Sequence, residues 1–313
     1  MKTLFPVLMA VCAVALLSCN KKEDTQDALY NTGKNRFTLS IDGTEREFYV
    51  HVPSGYDGKT AYPVVFMLHG TSGDGEKFYN ESGWKEVGEA EGIITVYPSS
   101  GRYCIVDPVD GQKTTTKWNT PPDADFTFCA GEKPLDDIKF LRAVIDDLNR
   151  RMLIDNKRIY LVGFSNGGQM AAKCAIEMSD VLAAVVESAG SFYLDSVTYT
   201  PKRKLPVTFQ IGNDDWGPGN EGPDLPLSEF DSLLKYPDFK YYRVSQAHIR
   251  NFGLDPNYTI TGDTSSAVVA HFVSNSGLSD NIFQFIMVKG IKHSYPDFAA
   301  ESNWNWLKQF SLP

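Results

Sequence analysis

Polar and apolar positions alternate between two textures along most of this chain. YPVVFMLHG (62–70), IITVYP (93–98), RIYLVGF (158–164), VLAAVVESAG (181–190), KLPVTFQIG (204–212) and FQFIMVKG (283–290) are short, nearly continuous apolar runs, the pattern of strands buried on both faces. Between them, KPLDDIKFLRAVIDDLNRRM (133–152) places Leu135, Ile138, Leu141, Ile145, Leu148 and Met152 on one side at helical spacing. Helices are also predicted over about 75–91, over 167–179 and in PDFAAESNWNWLKQF (296–310). Near the N-terminal end, RFTLSIDGTEREFYVHVP (36–53) alternates around Asp42 and Gly43 and predicts a β-hairpin. Buried strands separated by amphipathic helices predict the α/β class, a mostly parallel sheet with helices on both faces. A loop rich in Gly, Pro and Thr is expected over 99–134, and residues 213–280 show no resolvable period. No break in composition divides 34–313, so one domain is expected over 35–313.

The first eighteen residues, MKTLFPVLMAVCAVALLS, have a lysine near the start, an apolar core and small residues before Cys19, which reads as a leader. LLSC (16–19) resembles the lipobox of bacterial lipoproteins, and that resemblance implies acylation of Cys19 and attachment to a membrane through lipid. A plain secretory signal is the competing reading; the apolar run is short for a membrane span. NKKEDTQDALYNTGKN, which follows Cys19, is polar and aperiodic and reads as a flexible tether over 19–34, the arrangement of an outer-membrane lipoprotein of the cell envelope.

Charge and cysteine usage narrow the chemistry. Without residues 1–18 the 30 basic residues become 29 against 39 acidic, a formal charge of −10. That balance argues against nucleic acid as a partner. Of five cysteines, Cys12 lies in the leader and Cys19 is the lipidation candidate. Cys104 and Cys129 flank one loop-rich segment of an exported chain, where a disulfide is expected. Cys174 falls in an apolar helical pattern and reads as a buried thiol. No CxxC or clustered Cys/His spacing suggests a zinc site, so no metal is expected.

GFSNG (163–167) fits GxSxG with a strand before it and a helix after it. Flanking glycines let the backbone turn sharply, so that the Ser165 hydroxyl projects at a helix N-terminus and the backbone N–H of Asn166 is free for an oxyanion. A serine hydroxyl needs a histidine to take its proton, and the histidine needs a carboxylate to fix its tautomer. The chain order that this motif implies excludes His51 and His69 and leaves His248, His271 and His293. His293 follows a strand by a short loop and precedes the last helix, as the role demands. The acid should follow the strand at 204–212, where Asp214 and Asp215 are both available. HGTSGDG (69–75) ends the first central strand in a glycine-rich turn suited to present the Thr71 N–H, with His69 bracing the loop. No GK[ST] follows it, which removes a phosphate-binding reading.

Taken together, these stretches resemble the esterase family that groups feruloyl esterases, acetylxylan esterases and polyhydroxybutyrate depolymerases, with the α/β-hydrolase fold. The resemblance runs from VVFMLHG to HSYP and is most specific over 136–171, where the helix LDDIKFLRAVIDDLNRRM leads into GFSNGGQMA. Laying the family's GTxD-like acid turn on GNDD (212–215) selects Asp215. HSYP (293–296) stands where the family has a histidine before xWP, with tyrosine at the tryptophan position. The resemblance implies a serine esterase without cofactor, acting on feruloyl or acetyl groups of plant polysaccharide such as xylan. Trp118, Trp216 and Tyr295 are candidate platforms for a sugar or phenolic ring. A polyester depolymerase, a serine peptidase on the same fold and a non-catalytic glycan-binding lipoprotein are the competing expectations.

Overall fold

The computed structural model describes residues 30–120, 126–191 and 198–313. The leader and Cys19 lie outside them. The chain begins its described course with Tyr30, which is buried against Phe37 and donates its hydroxyl hydrogen to Asp147 at 2.9 Å. The fold thus takes in residues ahead of the expected boundary at 35, because the Tyr30 side chain is seated in it.

The hairpin forms from β1 (Gly33–Ile41) and β2 (Thr44–Val52), with Asp42 and Gly43 both at positive φ in the turn. There follow β3 (Tyr62–Leu68), α1 (Gly75–Glu81), α2 (Trp84–Glu91) and β4 (Ile94–Pro98). The single helix expected over 75–91 is two, because the chain turns left-handed at Gly83 after the Ser82 hydroxyl has bonded the Phe78 carbonyl. Next come β5 (Arg102–Asp107), β6 (Gly111–Thr116), β7 (Thr127–Phe128), α3 (Asp137–Arg151), β8 (Ile154–Phe164), α4 (Asn166–Glu177) and β9 (Ala184–Ser188). The chain ends with β10 (Val207–Gly212), α5 (Phe230–Leu233), α6 (Lys240–Phe252), β11 (Leu254–Asp263), β12 (Ala267–Ser274), β13 (Ile282–Val288) and α7 (Ala299–Leu307).

Ten strands form one sheet in the order β1-β2-β4-β3-β8-β9-β10-β13-β12-β11. The central strands from β4 to β13 are parallel, flanked by antiparallel pairs at both edges. One apolar layer packs α3, α4 and α6 against the sheet; a second, on the other face, packs α1, α2 and α7. Central strands are thus apolar at nearly every position, since both faces are covered. The free thiol of Cys174 is buried in the first layer, and that burial pushes its pKa up.

The segment expected as a loop over 99–134 carries a small sheet, β6-β5-β7, closed by a disulfide between Cys104 and Cys129. β5 buries Tyr103 and Ile105, but β6 (GQKTTT) has no apolar face and β7 is two residues long, so no apolar alternation marks the sheet as a whole. Likewise 213–280 contains α6 and the β11–β12 edge hairpin, whose outer strand is largely exposed.

Charge is also buried where the hairpin meets α3. Arg46 Nη2 donates to Asp137 Oδ1 at 2.7 Å and to the Ser99 carbonyl at 3.1 Å, and its guanidinium lies 4.2 Å from the Phe140 ring centroid. Burial raises the Asp137 pKa against the opposing pull of Arg46. Arg46→Ala would strand this carboxylate, and the expected loss is about 3–5 kcal/mol of unfolding free energy in urea titration; a change below roughly 1 kcal/mol would show that the pair is dispensable.

Candidate active site

The turn between β8 and α4 is shaped by what cannot fit there. A Cβ on Gly163 would collide with the Gly167 carbonyl, and one on Gly167 with the carbonyls of Leu68 and His69. With both side chains absent, α4 starts directly over the end of β3. Ser165 takes φ 55° and ψ −120°, a strained conformation for a residue with a side chain, and its N–H donates to the Ser188 carbonyl at 2.8 Å. The hydroxyl is thereby lifted clear of the sheet.

His293 Nε2 lies 3.0 Å from Ser165 Oγ, and His293 Nδ1 lies 2.9 and 3.1 Å from the two carboxylate oxygens of Asp215. A carboxylate can only accept, so Nδ1 carries hydrogen and Nε2 is left to accept from the serine. Asp215 is buried and held from two sides: Gly217 N–H donates to its Oδ1 at 2.9 Å, and the Tyr241 hydroxyl donates to its backbone carbonyl at 3.2 Å. Its neighbour Asp214 turns away, 3.8 Å from Lys292. Phe164 packs on the His293 ring at 5.1 Å.

The other histidines sit elsewhere. His248 is buried beside Glu187 at 3.1 Å, His271 on β12 bonds Thr261 of β11 and Gln284 of β13, and His51 contacts Tyr79 and Glu89. His69 donates from Nδ1 to the Gly70 carbonyl at 2.7 Å and accepts the Ser100 N–H at Nε2, 3.0 Å. Burial lowers its pKa to about 4, so at neutral pH it is an uncharged brace.

Thr71 and Asn166 both line the cavity of about 300 Å³ that opens on Ser165 and His293. Among the described residues, no other group accepts either backbone N–H. The Asn166 side chain is occupied: its Oδ1 accepts the Trp118 N–H at 2.7 Å, and its Nδ2 donates to Thr120 and Gln169. The small sheet pins the Thr71 loop from above, through Ser72 N–H to the Thr116 carbonyl and Thr116 Oγ1 to the Gly73 carbonyl.

Of the three expected platforms, only Trp216 lines the cavity, about one-third exposed. Trp118 is a correction. It is fully buried, its Nε1 donates to the His69 carbonyl at 2.8 Å, and its ring lies 5.1 Å from that of His69. Tyr295 is a second correction: its hydroxyl is bonded by Trp84 Nε1 and Asn303 Nδ2, its ring packs against Phe164, and burial pushes its pKa up. Both have their polar atoms satisfied inside the protein, and neither lines the cavity. Sequence reasoning passed over Tyr241, Phe209, Val244 and Gln169, which form the cavity wall; the signal for Tyr241 and Val244 lay in an amphipathic stretch within 213–280. Among the described residues no group of three or more His, Cys, Asp or Glu side chains could hold a metal ion.

A serine on such an elbow, with its histidine and carboxylate drawn from loops after later strands of this sheet, defines the α/β-hydrolase class. The family model Esterase ("Putative esterase") matches residues 40–235, and the chain belongs to that family. It is 28% identical over 173 residues to feruloyl esterase B of Piromyces equi, covering 54% of this chain and 29% of that one. It is 26% identical over 281 residues to acetylxylan esterase A of Aspergillus ficuum, covering 83% and 84%. The acetyl xylan esterase structure from Aspergillus awamori shares the fold at TM-score 0.57 and 17% identity, over 88% of this chain and 99% of that one. The chain spans half or less of the length of three curated relatives that it matches, 50%, 34% and 29% of them.

Trp118 ties the strand end before Thr71 to Asn166, so it sets the spacing of the two free N–H groups. Trp118→Phe keeps a buried ring but drops the bond to the His69 carbonyl; ester turnover should lose about tenfold in kcat with KM within roughly twofold. Steady-state kinetics would refute this role if KM moved and kcat did not.

Proposed function

We propose that the chain hydrolyses carboxylic esters through a serine-bound acyl intermediate, its substrates being feruloyl or acetyl esters of plant polysaccharide. The observation that carries this reading is the unbroken relay from Ser165 Oγ through His293 to Asp215, with distances of 3.0 and 2.9 Å. Ser165 Oγ attacks the carbonyl carbon as its proton passes to His293 Nε2. Asp215 holds the ring and stabilises the imidazolium. The developing oxyanion is received by the backbone N–H groups of Thr71 and Asn166. The alcohol departs with the proton from Nε2, leaving the acyl-enzyme. Water then attacks, gives its proton to Nε2, and the acid is released as Ser165 regains its hydrogen.

The feruloyl and acetylxylan esterases among the relatives support the acyl classes. Trp216 in the cavity wall supports an aromatic or sugar contact. Ser165→Ala should cut hydrolysis of p-nitrophenyl acetate and methyl ferulate by about ten-thousand-fold in folded protein. Turnover persisting near the wild-type rate would overturn the assignment.

We further propose that the enzyme is exported and held in the cell envelope through lipid on Cys19, with the acylated polysaccharide as its substrate partner. LLSC (16–19) and the polar segment after it support this. Cys19→Ala should abolish incorporation of labelled fatty acid and move the protein from the membrane pellet to the soluble fraction. Labelling that survives the substitution would place the lipid elsewhere.

A further inference from the structure

The space around Ser165 has two lobes, each with a polar and an apolar side. One, of about 300 Å³, has Phe209, Trp216, Tyr241 and Val244 on one wall and Lys117, Gln169 and Asn220 also facing it. The other, of about 320 Å³, is walled by Ser72, Asp107, Asp110, Lys113 and Phe164. They share Thr71, Ser165 and His293, so they meet at the nucleophile and at a donor of the oxyanion site. Val109, at the exposed β5–β6 turn, and Pro218, from the loop after β10, border both lobes.

We propose that the charged lobe seats the alcohol half of the ester, a sugar, while the aromatic lobe seats the acyl group. This rests on the serine-esterase reading above and extends it to where each half of the substrate lies. An ester held at Ser165 must send its acyl and alcohol portions away from one carbonyl carbon in two directions, and two lobes leave that point. Lys113 Nζ lies 2.8 Å from Asp110 Oδ2 and contacts Asp107 as well. Asp107 Oδ1 also receives the N–H groups of Val109 and Asp110, at 2.9 and 3.1 Å, and the bond from Lys113 holds its carboxyl below the usual carboxylate range. Two carboxylates around one ammonium offer acceptors and donors side by side. Sugar hydroxyls use both, since each donates one hydrogen and accepts another. Desolvating these charges against an apolar acyl chain would be unfavourable, and their net negative charge disfavours an anionic partner. Asp110 and Lys113 remain partly exposed, 63% and 32% at the side chain, so both can reach a ligand without leaving a buried pair broken. The opposite wall of aromatic rings and Val244 suits a phenylpropenoyl or acetyl group.

The test uses the methyl and xylosyl esters of acetic and ferulic acids with wild type, Lys113→Met, Asp110→Asn and Val244→Trp. The two charged-lobe variants should raise KM for xylosyl esters about tenfold more than for the methyl ester of the same acid, the size of one charge-assisted hydrogen bond. Asp110→Asn, at an exposed side chain, preserves the fold even if Lys113→Met does not. Val244→Trp should instead penalise feruloyl over acetyl esters whatever the alcohol. The inverse pattern, or equal effects on all four esters, overturns the assignment of the lobes. Wild type that cleaves methyl esters but neither xylosyl ester would overturn the sugar reading itself, before any variant is compared.

Discussion

The site depends on one backbone crossing, where the start of α4 passes over the ends of β3 and β8 with no side chain between them. Gly163 and Gly167 permit it, because a Cβ on either would strike backbone. The crossing forces Ser165 into a conformation that costs on the order of 1–3 kcal/mol. Two apolar layers on a ten-stranded sheet supply the packing that offsets it. Once α4 is seated so close, its first N–H, that of Asn166, faces the same cavity as the N–H of Thr71. The oxyanion site is therefore a consequence of the close approach and requires no separate device.

The polar interior maintains that arrangement. Trp118 bonds His69 on one side and Asn166 on the other, and the next residue, Asn119, donates its N–H to Asp137 Oδ2 at 2.6 Å. Asp137 in turn holds Arg46 of the hairpin. A continuous run of buried hydrogen bonds thus links β2, the start of α3, the segment after β6 and the elbow. Leaving any of these groups unpaired would cost more than the bond itself contributes, which makes the run rigid.

What could be read from sequence follows from how each element is buried. Central strands and α3 announce themselves because burial on both faces, or on one stripe, leaves a period in the apolar residues. GFSNG and HSYP were legible because steric need and proton transfer restrict the residues that serve. The β5–β7 sheet was not legible: GQKTTT has no apolar face, and the sheet is fixed by pairing and by the Cys104–Cys129 bond. Trp118 and Tyr295 misled for a related reason. An aromatic residue in a loop has the same identity whether its N–H or O–H meets a ligand or a buried partner, and here the partners are internal. Asp214 and Asp215 are adjacent, and only the packing of the turn decides which of them faces His293.

The segment without a readable period, 213–280, joins a wall of the cavity to the carboxylate that faces His293. Helix α6 lends Val244 and Tyr241 to the aromatic lobe, and the Tyr241 hydroxyl also bonds the backbone of Asp215. One turn beyond Val244, His248 sits buried against Glu187 of β9, next to the Ser188 carbonyl that receives the Ser165 N–H. The Nδ1 of His248 faces the Val244 carbonyl at 2.8 Å, which requires its hydrogen there; one further proton must then lie between Nε2 and the Glu187 carboxyl. Such a pair is costly to break in a dry interior, so it fixes the helix on the sheet. On α6 it is therefore Tyr241, not Val244, whose replacement would reach the carboxylate that faces His293. Changes confined to the β5–β6 hairpin, which reaches the other lobe from the opposite side, act on the alcohol half without passing through Asp215.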